Sequence, residues 1–225
     1  MSDFSHIEAV LFDAGQTFLF PDFPFLQNLL AEYGIATDHL SLKKGAALAR
    51  EEIYRDRDEE NWKEYFTFWM QFAGAPEQAI PEILTRIYDR HKREHLWSWF
   101  DPTAAEVFAN LKNLGYRLGV ISNSDGSIAN SMEKFGFAQF FDCMIDSYVV
   151  GVEKPDPRIF EIALQQLELP AARCIYVGDN YDRDVIGARQ AGLAPILIDP
   201  FDVVAAQDVV RIHELKELVM LLKKK

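Results

Sequence analysis

Five short apolar runs constrain this chain more tightly than any other feature. They are Ala9–Phe12, Leu118–Ile121, Met144–Val150, Cys174–Val177 and Pro195–Ile198. Continuous apolar runs of this length describe strands covered on both faces rather than half-exposed ones. Helical patterns separate the last four. Thr103–Leu114 opens behind Pro102 and stops at Gly115, Ser127–Phe135 stops at Gly136, Pro157–Leu167 opens on proline, and Asp184–Ala191 stops at Gly192. Strands alternating with helices of this length give βαβ units, so the expected fold class is α/β, a doubly wound parallel sheet.

The stretch behind the first run obeys a different pattern. From Phe23 to Trp99 it is aromatic, charged and helix-rich, without strand alternation. Leu26, Leu29, Leu30 and Tyr33 recur at helical spacing, as do Tyr65, Phe68, Trp69 and Phe72, and then Ile83, Ile87 and Tyr88. The insertion is too long for a plain crossover helix. The expected organisation is an α/β core from residues 1–20 and 98–225, with a helical cap over 21–97. The aromatic stripes read as the cap's own core. Phe18, Phe20 and Phe23 lie close behind the first strand, where they either line an entrance or pack the linker.

Composition narrows the class of partner. With 23 Lys and Arg against 35 Asp and Glu, the formal net charge is -12. That charge argues against nucleic acid, whose phosphates need clustered basic residues; the basic LKKK terminus reads as a solvated end. An acidic protein can still take a phosphate ester when a divalent cation bridges carboxylate and phosphate. No apolar stretch approaches the length of a membrane span. The acidic first residues lead straight into a strand without a signal peptide, so a cytoplasmic protein is expected. Cys143 and Cys174 follow no metal-ligand spacing and are expected as buried free thiols.

Open parallel sheets bind ligands beyond the carboxyl ends of their strands. The first run ends at Asp13, the second at Ser122 and Asn123, and the fourth at Gly178 and Asp179, with Asp184 close behind; Lys154 follows the third. Taken singly these residues read as turn formers, caps or surface charges. Taken together, they bring carboxylates, a hydroxyl, an amide and an ammonium to one edge.

In that order the segments LFDAGQT, VISNS, GVEKPDP and VGDNYDRD resemble the four motifs of the haloacid dehalogenase superfamily. The resemblance covers the α/β core nearly end to end; the insertion matches in position and helical character, like the subfamily with a helical cap after the first motif. It implies Asp13 as nucleophile on a phosphorylated small molecule, through an aspartyl-phosphate. It implies Mg²⁺ held by Asp13, the Gly15 carbonyl and Asp179, with Asp184 a ligand through water or a partner of Lys154. Ser122, the Asn123 amide and Lys154 would bind the phosphoryl oxygens, and Thr17 would order the loop that carries Asp13.

One departure stands out. Phosphatases of that superfamily typically carry a second Asp two positions after the nucleophile as general acid and base, and this chain has Gly15 there. Gln16 cannot replace it, because an amide does not titrate near neutral pH. Such a group is worth about 10²–10⁴ in rate, so alkyl phosphates should suffer more than acyl or aryl phosphates. Asp125, His39, His91 and His95 titrate but sit in no pattern that selects them. Dehalogenation needs no such acid, yet metal-independent dehalogenases lack the acidic fourth motif and carry an Arg soon after the first, whereas the first Arg here is Arg50. A phosphonate hydrolase would need a cap lysine, and Lys43, Lys44 and Lys63 lie in no motif. A regulatory protein on a degenerate scaffold is the alternative of a different class, favoured by Gly15 and opposed by intact Asp13, Lys154 and Asp179. The substrate and the oligomeric state have no signature in the sequence.

Overall fold

The computed structural model of the chain describes residues 4–54 and 62–223. The LKKK terminus runs past the last of these. The fold divides into two compact units, one of residues 1–18, 100–200 and 205–225, the other of 19–99 and 201–204.

The first unit is a six-stranded sheet built from β1 (Ala9–Phe12), β4 (Arg117–Ser122), β5 (Cys143–Asp146), β6 (Cys174–Gly178), β7 (Ala194–Ile198) and β8 (Val210–Ile212). The second unit holds β2 (Leu19–Pro21), paired with β3 (Trp97–Phe100) in a two-stranded ribbon. The large sheet runs in the order β5-β4-β1-β6-β7-β8, and every neighbouring pair is parallel. From β1 the chain winds outward through β4 and β5, then returns to β6 on the other side of β1. The direction of winding therefore reverses at β1, where an open α/β sheet leaves its ligand crevice.

Both faces of the sheet are covered, and residue parity decides which side chain goes where. Ala9, Leu11, Ile121, Cys143, Ile145, Cys174 and Tyr176 share one face, packed against Ile159, Phe160, Ala163 and Leu167 of the helix Pro157–Leu167. Phe12 turns to the opposite face and meets the Phe108 ring edge-on at 5.1 Å, within a cluster that includes Phe18 and Phe141. Gly119 lies where a side chain has no room: a Cβ there would stand 2.5 Å from Cys143 Sγ and 2.6 Å from Leu11 Cδ2. Gly119→Ala is expected to cost about 1–3 kcal/mol through overpacking, read as a lower midpoint in urea unfolding with unchanged slope.

Several expectations shift. The apolar run Met144–Val150 is not one strand: β5 stops at Asp146, and Ser147–Val150 is a short helix capped by the Asp146 carboxylate, which accepts from the Tyr148 amide. The helix expected over Asp184–Ala191 begins earlier, as a π-turn at Tyr181–Ile186 that runs into Gly187–Gln190. The strands β2, β3 and β8 were not among the apolar runs read as strands. Cys143 and Cys174 are buried free thiols.

The second unit contains the helices Phe23–Ala31, His39–Tyr54, Trp62–Phe72 and Ile80–Arg93. Asp22 caps the first by accepting from the Phe25 amide at 3.0 Å. Leu26, Leu30, Trp69, Ile83 and Ile87 form its core. Trp69 is fully enclosed because Gly45 lets its ring come within 3.1 Å of the Cβ position, and its indole N–H reaches the Leu42 carbonyl at 2.9 Å. The seam of the third helix is Tyr65, Phe66, Trp69 and Met70, so Phe72, like Tyr88 on the fourth, faces solvent instead of the core. Phe18, Phe20 and Phe23 are buried, as expected of residues that pack the interior. No helix among the described residues is long and apolar enough to cross a membrane.

Candidate active site

The first unit gathers the polar strand ends at one place. β1 delivers Asp13, whose amide donates to the Val177 carbonyl of β6 at 2.8 Å, so its backbone is still tied to the sheet. Behind it the chain turns sharply. Thr17 and Phe18 donate back to the Ala14 carbonyl, and Gln16 adopts φ 58°, a left-handed conformation unusual for a residue with a side chain. Gly15 sits half-buried at the start of that turn. Thr17 is fully buried, its hydroxyl at 3.5 Å from Asp13 Oδ2.

Lys154 is the hub. Only 3% exposed, its ammonium donates to Asp13 Oδ1 at 2.5 Å, to Asp184 Oδ1 at 2.8 Å and to the Tyr176 hydroxyl at 2.9 Å. Its backbone is clamped as well. The Asn123 side chain accepts from the Lys154 amide at 2.8 Å and donates to the Lys154 carbonyl at 3.0 Å. The loop behind β4 thereby fixes a segment that lies 31 residues further along the chain. The Lys154–Pro155 peptide is cis.

Asp184 is held from the other side. Its Oδ2 accepts from the Asn180 amide at 2.9 Å, and Asn180 in turn caps the π-turn by accepting from the Arg183 amide. Gly178 makes that approach possible, since a Cβ there would fall 2.4 Å from the Asp184 carboxylate carbon. Asp179 and Ser122 are each 6% exposed, at the ends of β6 and β4. One carboxylate oxygen from each of Asp13, Asp179 and Asp184 lies within 4.8 Å of the others, and all three residues are buried.

Asp13 and Asp184 share the one ammonium of Lys154, which leaves that group an excess of one negative charge if both carboxylates are ionised. Burial pushes the Asp13 carboxyl up to about 6, with Lys154 pulling it down and Asp184 adding to the rise. Burial alone would lower the Lys154 ammonium, but Asp13 and Asp184 together hold it above its usual value. The Tyr176 phenol is pushed well above its usual value, by burial first and then by Asp184 and Asp13, so it remains neutral. A hard divalent cation fits this oxygen-only set and would offset that excess charge.

Ser122, Asn123, Thr17, Lys154, Asp13, Asp179, Asp184 and Gly15 thus all fall in the same unit, around the end of β1. Two participants were not anticipated. Asp146, 4% exposed, accepts from the amides of Gly126, Ile128 and Tyr148 at 3.1, 3.3 and 3.0 Å, and so shapes the loop that follows Ser122 and Asn123. Its signal was an Asp at the close of an apolar run, the ordinary mark of a helix cap. Tyr176 carries a different signal, a phenol inside a fully buried strand, which must find a polar partner.

The sequence pattern of haloacid dehalogenase-like hydrolases matches residues 7–192. The chain belongs to that family. It is 29% identical over 209 residues to the glyceraldehyde 3-phosphate phosphatase of Methanopyrus kandleri, covering 85% of this chain and 84% of that one. It is 30% identical over 176 residues to the phosphoserine phosphatase of Thermus thermophilus, covering 76% of this chain and 64% of the relative. In fold this haloacid dehalogenase-like hydrolase resembles the crystal structure of a phosphatase from Thermococcus onnurineus, with a TM-score of 0.62 at 23% identity, over 97% of this chain and 99% of the other.

Proposed function

We propose that this haloacid dehalogenase-like hydrolase is a Mg²⁺-dependent phosphatase of small phosphorylated metabolites that works through an aspartyl-phosphate on Asp13. The observation that carries the proposal is the buried cluster of Asp13, Asp179 and Asp184, with Lys154 paired to Asp13 and Asp184. A plain scaffold gains nothing from three mutually repelling buried carboxylates, and the relatives named as phosphatases support the substrate class.

Mg²⁺ would be held by Asp13, Asp179 and the Gly15 carbonyl, with Asp184 beside them, and would supply charge neutralisation between carboxylate and phosphate. The chain's own groups do the rest. Lys154 holds Oδ1 of Asp13, so Oδ2 is assigned the attack on phosphorus. Ser122 and the Asn123 amide bind the phosphoryl oxygens, while Thr17 keeps the turn behind Asp13 in place. The new bond joins Asp13 to phosphorus as the bond to the leaving oxygen breaks, and that oxygen departs with its electron pair. Water then attacks the phosphorus and frees both phosphate and the Asp13 carboxylate. Gly15 offers no proton to the leaving oxygen, so substrates whose leaving group makes a stable anion are turned over faster. The helical unit is read as the cap that selects it.

Phosphate release is expected from acetyl phosphate and p-nitrophenyl phosphate only when Mg²⁺ is present. An alkyl phosphate such as glycerol phosphate should turn over about 10²-fold or more slowly. Equal rates on alkyl and acyl phosphates would contradict the absence of a general acid. Gly178→Ala displaces the Asp184 carboxylate, and its Mg²⁺ affinity by calorimetry is expected to fall about 10–100-fold.

A further inference from the structure

An ammonium carries three hydrogens, and on Lys154 the chain engages all of them. Two go to the carboxylates of Asp13 and Asp184, and the third goes to the Tyr176 hydroxyl at 2.9 Å. Tyr176 is itself anchored, because its own hydrogen goes to the Ile121 carbonyl at 3.0 Å. Ile121 belongs to β4 and stands directly before Ser122, while Tyr176 belongs to β6, with β1 between the two strands. The hydroxyl therefore bridges the two strands that flank the Asp13 strand and ends on the ammonium that holds Asp13.

Packing does not call for that hydroxyl. The Tyr176 ring is enclosed on the apolar face and meets Phe160 edge-on at 5.0 Å, a contact that a phenylalanine would make equally well. The oxygen accepts on one side and donates on the other, so neither partner can be met by a ring alone.

We propose that Tyr176 is a positioning residue: its hydroxyl, fixed by the Ile121 carbonyl, sets the direction of the Lys154 ammonium and thereby of the Asp13 carboxylate. The lysine is a flexible chain whose head is otherwise shared by two carboxylates, and a neutral third acceptor fixes its rotation without adding charge. The kinetic consequence rests on the phosphatase reading; the geometric one does not.

Tyr176→Phe tests both. With p-nitrophenyl phosphate and saturating Mg²⁺, kcat is expected to fall about 10–100-fold, the usual range for a partner that orients a site residue, while KM stays within about two-fold. In a Lys154→Met background the same change should have little further effect on kcat, because a residue acting through Lys154 has nothing left to aim. In protein with isotope-labelled lysine, a slowly exchanging ammonium resonance, assigned by its loss in Lys154→Met, should shift or disappear in Tyr176→Phe. An unchanged kcat with an unmoved ammonium signal would overturn the proposal, even with a lower melting temperature, because Tyr176 would then serve only to cap the Ile121 carbonyl. Wild type provides a further check that needs no variant: a Lys154 ammonium that exchanges as fast as surface lysines would also overturn it. A folded wild type without turnover would sink the phosphatase reading instead, and the ammonium signal would still decide on Tyr176.

Discussion

Asp13→Asn is expected to abolish phosphate release, by a factor of at least about 10⁴, while leaving the protein folded. Removal of a covalent nucleophile takes away the whole two-step route, not one contribution among several. The substitution is nearly isosteric. The backbone bond from residue 13 to the Val177 carbonyl does not involve the side chain, and an amide oxygen can still accept from Lys154. A fall in activity with a retained far-ultraviolet spectrum and a cooperative melt would therefore report chemistry instead of unfolding. A merely structural Asp13 would give the opposite pattern, with lower stability and a proportionate loss of activity.

Lys154→Met is expected to carry the largest stability penalty in the core unit, about 3–5 kcal/mol in metal-free protein. The ammonium is paired with Asp13 at 2.5 Å and Asp184 at 2.8 Å, and the side chains of these residues are 3%, 10% and 2% exposed. Methionine fills the space of the stem but leaves two carboxylates facing one another without a counter-charge. Urea titration at neutral pH measures the loss. Saturating Mg²⁺ should recover part of it, because a ligand that binds only the folded state adds stability that grows with the logarithm of one plus its concentration over its Kd. A variant as stable as wild type without metal would show that the carboxylates are protonated or solvated there, and the charge argument for the cation would fall with it.

Much of this site was legible because its residues stand at strand ends, and strand ends are marked by the close of an apolar run. Asp13 follows AVLF, Ser122 closes RLGVIS and Asp179 follows CIYVG, and the register of the sheet then brings them together. The Met144–Val150 run failed for a related reason. Its valines favour strands, but an Asp followed by Ser offers the backbone a capped turn, and the carboxylate of Asp146 takes three amides once β5 stops. Val149, read as a strand residue, ends up 71% exposed.

What the sequence could not show is pairing across strands that are distant in order. Tyr176 is one apolar-looking letter in CIYVG until β6 is placed beside β1 and β4 beyond it, because only then does its hydroxyl reach Ile121 and Lys154. The Asn123 clamp on Lys154 is equally invisible, joining loops behind β4 and β5 through one side chain. In the helical unit, periodicity marked three of the four described helices but took Phe68 and Phe72 for the seam of Trp62–Phe72 that Phe66 and Met70 complete, since a wide apolar stripe there supports two neighbouring seams.

The most direct test of the central claim is to catch the intermediate. Wild-type protein mixed with acetyl phosphate and Mg²⁺, quenched in acid within a turnover and digested, should show one added phosphoryl group on the peptide that contains Asp13. The modification should be absent without Mg²⁺ and absent in Asp13→Asn. A phosphoryl group on any other residue, or phosphate release undiminished in Asp13→Asn, would contradict the account.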